Sequence, residues 1–122
     1  MIRLSLVLGA LGLALLAAPM ALPAPGAPAA PTVSPAQLAA RGQALFSAKG
    51  CAQCHHHAAV PGSGSFSGSD VPDLTHRTLG ADYLRSWLAN PAAVRPNTAM
   101  PNLNLKPGEI EALVAFLRAN QP

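Results

Sequence analysis

The chain has 122 residues, 50% of them apolar and 11% charged, with a formal net charge of +3 at pH 7. That length allows one domain, and less once an N-terminal targeting segment is set aside. Its basic residues (Arg41, Lys49, Arg77, Arg85, Arg95, Lys106 and Arg118 beyond Arg3) are scattered, with no run and no aromatic interleaving, which excludes a nucleic-acid surface.

The N-terminus opens Met1-Ile2-Arg3 and then runs apolar from Leu4 to Leu22, broken only by Ser5, Gly9, Gly12 and Pro19. One early arginine before an apolar stretch is the layout of a secretory signal peptide, and Ala24-Pro25-Gly26 offers the small residues a signal peptidase reads. Residues 1–26 are therefore expected to be a signal peptide, with an uncleaved membrane anchor as the alternative. Both readings place the rest of the chain in the periplasm or another extracytoplasmic space. In the anchored form it would be held at the membrane, and in the cleaved form it would be soluble. Residues 27–33 continue an Ala/Pro-rich stretch that favours extended conformations and buries no core, so they read as a linker. The folded domain is expected over 34–121.

The first helix has a readable start. Ser34-Pro35-Ala36-Gln37 offers a capping serine, a proline at the first helical position and a glutamine three residues after the cap. Leu38, Leu45 and Phe46 form its apolar stripe, and Gly50 ends it. From Ala58 to Val71 glycines and serines alternate in an expected loop. A second helix is predicted from about Asp82 to Ala89, stopped by Asn90-Pro91. The segment Pro91–Pro107 carries four prolines and is expected to be largely non-helical. A third helix is predicted from about Pro107 to Asn120. There Ile110, Leu113, Val114 and Leu117 follow a helical period and Glu109 and Glu111 favour the N-terminus, although Lys106 makes a poor cap. The expectation is an all-α fold of three main short helices and long loops, with too little protein for a good apolar core.

Between the first helix and the Gly/Ser loop stands Cys51-Ala52-Gln53-Cys54-His55, the C-x-x-C-H attachment signature of a c-type haem. Each thiol can add across one vinyl group, the two intervening residues let both sulfurs reach one porphyrin edge, and the adjacent histidine lies beneath the iron. A large, mostly apolar haem would also supply the missing core. Other readings of the cysteines are a disulfide, a thioredoxin-like centre, which lacks its preceding strand and βαβ context, and a zinc site. Zinc would need Cys51 and Cys54 with two of His55, His56, His57 and His76. With both thiols on haem, no cysteine remains for a lipid anchor.

An iron that shuttles electrons without binding small molecules needs a sixth ligand. Met1 and Met20 lie in the targeting segment, which leaves Met100, set before Pro101 in a proline-rich loop. A neutral, soft thioether held there would favour Fe(II) and raise the potential. His76 is the rival, giving a bis-histidine haem. His56 and His57 follow the proximal ligand too closely to reach the other face of the same ring and are expected at the solvent surface.

Taken together, these segments resemble the small single-haem class I cytochromes c, and most of all the cytochrome c domain of bacterial terminal-oxidase subunit II and related free-standing cytochromes. The likeness runs from about Pro35 to Ala119. It is carried by Gly42-Gln43-Ala44-Leu45-Phe46, the segment Gly50 to His55, Pro72-Asp73-Leu74-Thr75, the segment Leu84 to Pro91, Met100-Pro101-Asn102-Leu103 and the segment Glu109 to Leu117. The resemblance implies a cytochrome c fold wrapped around one haem c, attached through Cys51 and Cys54 and ligated by His55 and Met100. It implies that the Pro72 carbonyl faces His55, that Arg77 and Trp87 lie near the haem propionates (with helix packing as the other reading of Trp87), and that Gly42 and Phe46 face the last helix near Phe116 or Leu113. The His56-His57 pair and the Gly/Ser loop depart from the family pattern.

The function so implied is a monomeric electron carrier of the respiratory chain, not an enzyme. It would cycle between Fe(III) and Fe(II) and exchange electrons with a quinol-oxidising complex, a periplasmic dehydrogenase or a terminal oxidase. The alternative is a haem protein that binds small ligands or acts like a peroxidase when Met100 dissociates, but no polar distal group for that chemistry is visible.

Overall fold

The computed structural model describes residues 32–66, 68 and 71–119. The expected signal segment 1–26 and most of the linker lie outside them. Among the described residues there are five helices and no strand: α1 (Pro35–Ala48), α2 (Cys51–Cys54), α3 (Ala81–Ala89), α4 (Pro91–Val94) and α5 (Pro107–Ala119). None of them is long and apolar enough to cross a membrane.

The start of α1 is set locally. Ser34 Oγ accepts the Gln37 N–H at 3.2 Å, and Gln37 Oε1 accepts the Ser34 N–H at 2.9 Å. Pro35 sits where a missing N–H costs nothing. At the other end Gly50 adopts φ 81°, a left-handed turn open to a residue without Cβ, and the chain passes directly into α2.

The helix starts at Ala81, one residue earlier than expected, and Asn90 ends it. The Asn90 side chain then accepts the Ala93 N–H at 3.3 Å, with Pro91 at the first helical position. This repeats the logic of Ser34-Pro35 and creates one helical turn, α4, inside a segment expected to be largely non-helical. Asn90 therefore stops one helix and caps the next. In α5 the weak cap at Lys106 is compensated by Glu109, whose Oε2 accepts the Lys106 N–H at 2.9 Å. The same carboxylate takes Lys49 Nζ at 2.9 Å through Oε1, tying the end of α1 to the start of α5. Both contacts hold the Glu109 carboxyl below its usual range, the Lys106 N–H first and Lys49 second.

The core is the crossing of α1 and α5. A Cβ on Gly42 would overlap the Ala112 carbonyl and lie 2.7 Å from Phe116 Cβ, so the helices approach this closely because residue 42 has no side chain. Phe46, Ile110, Leu113, Val114, Phe116 and Leu117 are buried around the crossing, and the rings of Phe46 and Phe116 lie 5.6 Å apart. Each such side chain contributes roughly 1.5–3 kcal/mol by leaving water. Helix α3 adds Leu84 and Leu88, and Arg85 clamps it to α5 through two bonds to Glu111, at 2.7 and 3.0 Å. Half-buried Leu74, Leu79, Met100, Leu103 and Leu105, all from the irregular segments, pack against this core.

Candidate functional site

The single turn of α2 carries both thiols. Cys51 is buried against the core and Cys54 is exposed, and both are free. Burial pushes the Cys51 thiol pKa up. His55 follows at the helix end in extended conformation, its N–H bonded to Cys51 O at 2.9 Å.

His55 is held by a segment far from it in sequence. Leu74 N–H donates to His56 O at 2.9 Å and Ala58 N–H to Thr75 Oγ1 at 3.1 Å, which lays residues 72–75 alongside residues 55–58. That pairing brings the Pro72 carbonyl oxygen 3.0 Å from His55 Nδ1. A carbonyl can only accept, so Nδ1 carries a proton, and in the neutral ring the lone pair is on Nε2. The segment is stiffened by Asp73, whose Oδ1 accepts both the Thr75 N–H and its hydroxyl. Its Oδ2 lies 2.9 Å from His56 Nδ1. The Thr75 hydroxyl first, then its N–H and His56, hold the Asp73 carboxyl at about 2.

Met100 is half-buried in the loop between α4 and α5. Its N–H donates to Thr98 Oγ1 at 3.2 Å, and the Asn102 side chain accepts the Asn104 N–H at 2.9 Å where Asn104 turns through φ 50°. The Trp87 indole Nε1–H donates to Met100 Sδ at 2.9 Å. The one polar hydrogen of Trp87 is thus directed at the methionine sulfur. Helix packing accounts for the rest of its environment, with Tyr83 stacked on it at 5.9 Å between ring centroids. Arg77 is exposed.

The histidines separate sharply. His56 is exposed and held by Asp73, and His76 is exposed. His57, expected at the surface, is 1% exposed, packed against Phe116 at 4.4 Å and Phe46 at 5.9 Å. The chain leaving α2 is extended, so successive side chains alternate between faces, and residue 57 turns back onto the α1–α5 core. His57 Nδ1 accepts the Ala59 N–H at 3.2 Å, which places its proton on Nε2. That atom is buried without a hydrogen-bond partner among the described residues. Burial holds the His57 imidazole below its usual pKa. Among the described residues no group of three or more His, Cys, Asp or Glu is arranged for a metal ion, so the zinc site is not assembled.

The donors that remain suit a c-type haem. They are two thiols on one turn, an imidazole with Nδ1 tied back and Nε2 free, and a thioether fixed by an indole. Half-buried leucines from both irregular segments would cover the faces of an apolar ring. Of these donors, Cys51, Cys54 and His55 stand out by motif. The Asp73-x-Thr75 turn is also locally readable. The bond from Trp87 to Met100 spans a proline-rich loop and has no local signal.

A family model described as Cytochrome c matches residues 39–121. No curated protein and no solved structure matches the chain.

Proposed function

The chain belongs to the cytochrome c family, and on that basis we propose that it is an exported single-haem electron carrier with His55 and Met100 as axial ligands. The observation that carries this reading is the pairing of the C-x-x-C-H turn with the Pro72 carbonyl, 3.0 Å from His55 Nδ1. Haem c, when bound, supplies an iron that passes between Fe(III) and Fe(II).

The residues divide the work. Cys51 and Cys54 would hold the haem through thioether bonds, and His55 would present Nε2 to the iron. Pro72 fixes the imidazole's tautomer and orientation, and its hydrogen bond makes Nε2 more basic. Met100 would present the sulfur lone pair that Trp87 leaves free. By drawing electron density from that sulfur, Trp87 would favour the reduced state of a haem iron held there, which needs less donation. Arg77 is proposed to hold a propionate. Ligands anchored by backbone and indole contacts move little between oxidation states, which suits repeated electron exchange rather than bond-making.

The apolar segment after Arg3 supports export, and the scattered surface charge supports a protein redox partner over a nucleic acid. The motif likeness to the cytochrome c domain of oxidase subunit II supports a terminal oxidase as acceptor. A quinol-oxidising complex or a periplasmic dehydrogenase is proposed as donor.

The test is to produce the chain in a host that attaches haem to c-type cytochromes. Covalent haem with a low-spin spectrum in both oxidation states is expected. Cys51→Ala combined with Cys54→Ala should lose the covalent haem and leave a chain that proteases degrade. A colourless but well-folded, protease-resistant double variant would overturn the proposal.

A further inference from the structure

Phe66 is 75% exposed, the most exposed large apolar side chain among the described residues, yet its backbone is pinned. Its N–H donates to Gln53 O at 2.8 Å, and the Gly64 N–H donates to Ala52 O at 2.7 Å. Ser63 Oγ accepts the His57 N–H at 2.9 Å and donates to His57 O at 3.1 Å. Gly64 permits this approach, since it adopts φ +83° and any Cβ there would lie 3.1 Å from His56 Cβ. Residues 63–66 are thus fastened along the haem-attachment turn, and Phe66 is placed beside the peptide that links Gln53 to exposed Cys54.

The attachment turn and the loop beside it carry no formal charge of their own. From Gly50 to Ser69 the sequence contains no Asp, Glu, Lys or Arg, although that stretch includes the whole attachment motif. The described carboxylates are all paired: Glu109 with Lys49, Asp82 and Glu111 with Arg85, and Asp73 with His56, which borders the loop at Gly64. A partner that brought charges onto this surface would lose their hydration and find only carboxylates already paired at its border.

Resting on the electron-carrier reading above, we propose that Phe66 is the anchor of a docking face for a redox protein whose own electron-transfer centre is rimmed by uncharged, apolar surface. An exposed aromatic fixed by backbone bonds gives contact area at small entropic cost, and such side chains are enriched among the few that dominate binding. The position beside Cys54 places the contact where the haem edge would reach the surface.

The holoprotein can be tested by voltammetry on gold coated with methyl-terminated or carboxylate-terminated alkanethiols, which stand in for apolar and charged partners. Wild type should exchange electrons with the methyl surface at a rate that ionic strength leaves unchanged. Phe66→Ser should lower that rate about tenfold or more, leave the carboxylate surface, the potential and the visible spectrum unaltered, and be rescued by Phe66→Trp. Equal rates for wild type and Phe66→Ser on the methyl surface would overturn the proposal. So would exchange with the charged surface alone, Phe66-dependent sedimentation with phosphatidylcholine vesicles, or Phe66-dependent dimerisation. No reversible wave on either surface would instead overturn the electron-carrier reading beneath it.

Discussion

The indole Nε1–H of Trp87 donates to Met100 Sδ at 2.9 Å, so a residue of α3 fixes the side chain of a loop methionine thirteen positions later. A thioether on a flexible stem has several rotamers, and this bond selects one of them. It also spends one sulfur lone pair, leaving the other for a metal.

Trp87→Phe keeps the ring and removes the N–H. If the bond favours Fe(II) by ~1 kcal/mol, the reduction potential should fall by about 40 mV. Carbon monoxide should also bind the ferrous protein more readily, because the sulfur is less tightly held. Redox titration and ligand binding check both outcomes. An unchanged potential with unchanged ligand binding would mean that the indole does not act on the sulfur in the haem-loaded protein.

His57 is a polar side chain in an apolar core, with Nε2–H buried and without a hydrogen-bond partner among the described residues. An orphaned donor costs roughly 1–3 kcal/mol, while the bond it would surrender, from Ala59 N–H, contributes only about 1 kcal/mol. His57→Leu, close to it in volume, should therefore stabilise the protein by about 1 kcal/mol in urea unfolding at neutral pH. A destabilised variant would show that Nε2 has a partner, such as a buried water.

Asp73 carries a pH signature. Its folded pKa of about 2 lies below the ordinary 3.8, so the folded state binds the proton more weakly than the unfolded chain. The stability this gives is fully present above about 4 and is lost as pH falls from there through about 2. Acid unfolding of Asp73→Asn should be less steep in that window. A residual slope should remain, because Glu109 and Glu111 are also held below their usual range, the first chiefly by the Lys106 N–H and the second by Arg85. Identical acid profiles for wild type and Asp73→Asn would show that the Thr75 bonds do not hold the carboxylate in solution.

How much of this could be read from the sequence follows the range of each interaction. The Ser34–Gln37 capping box lies within four residues, and so does the attachment turn, so local chemistry makes both visible. The α5 face appears as a helical period. Asn90-Pro91 was readable as a stop, but the same pair also caps α4, and a residue's double duty does not show in a pattern. His57 follows two other histidines and looks like surface. Its burial depends on the side to which an extended chain turns after α2, and thus on where α1 and α5 cross. The contacts of Glu109 with Lys49 and of Trp87 with Met100 exist only once the fold has closed, so no spacing announces them.

The account rests most directly on Met100 as the second iron ligand, and the potential of Met100→Ala is the measurement that tests it. Cys51, Cys54 and His55 are untouched by this change, so the haem should remain attached. Losing the soft ligand that favours Fe(II) should lower the potential on the order of 100 mV, and carbon monoxide or cyanide should bind the opened site more readily. A Met100→Ala protein with the wild-type potential and an unchanged low-spin spectrum would contradict the account and make His76 the next ligand to replace.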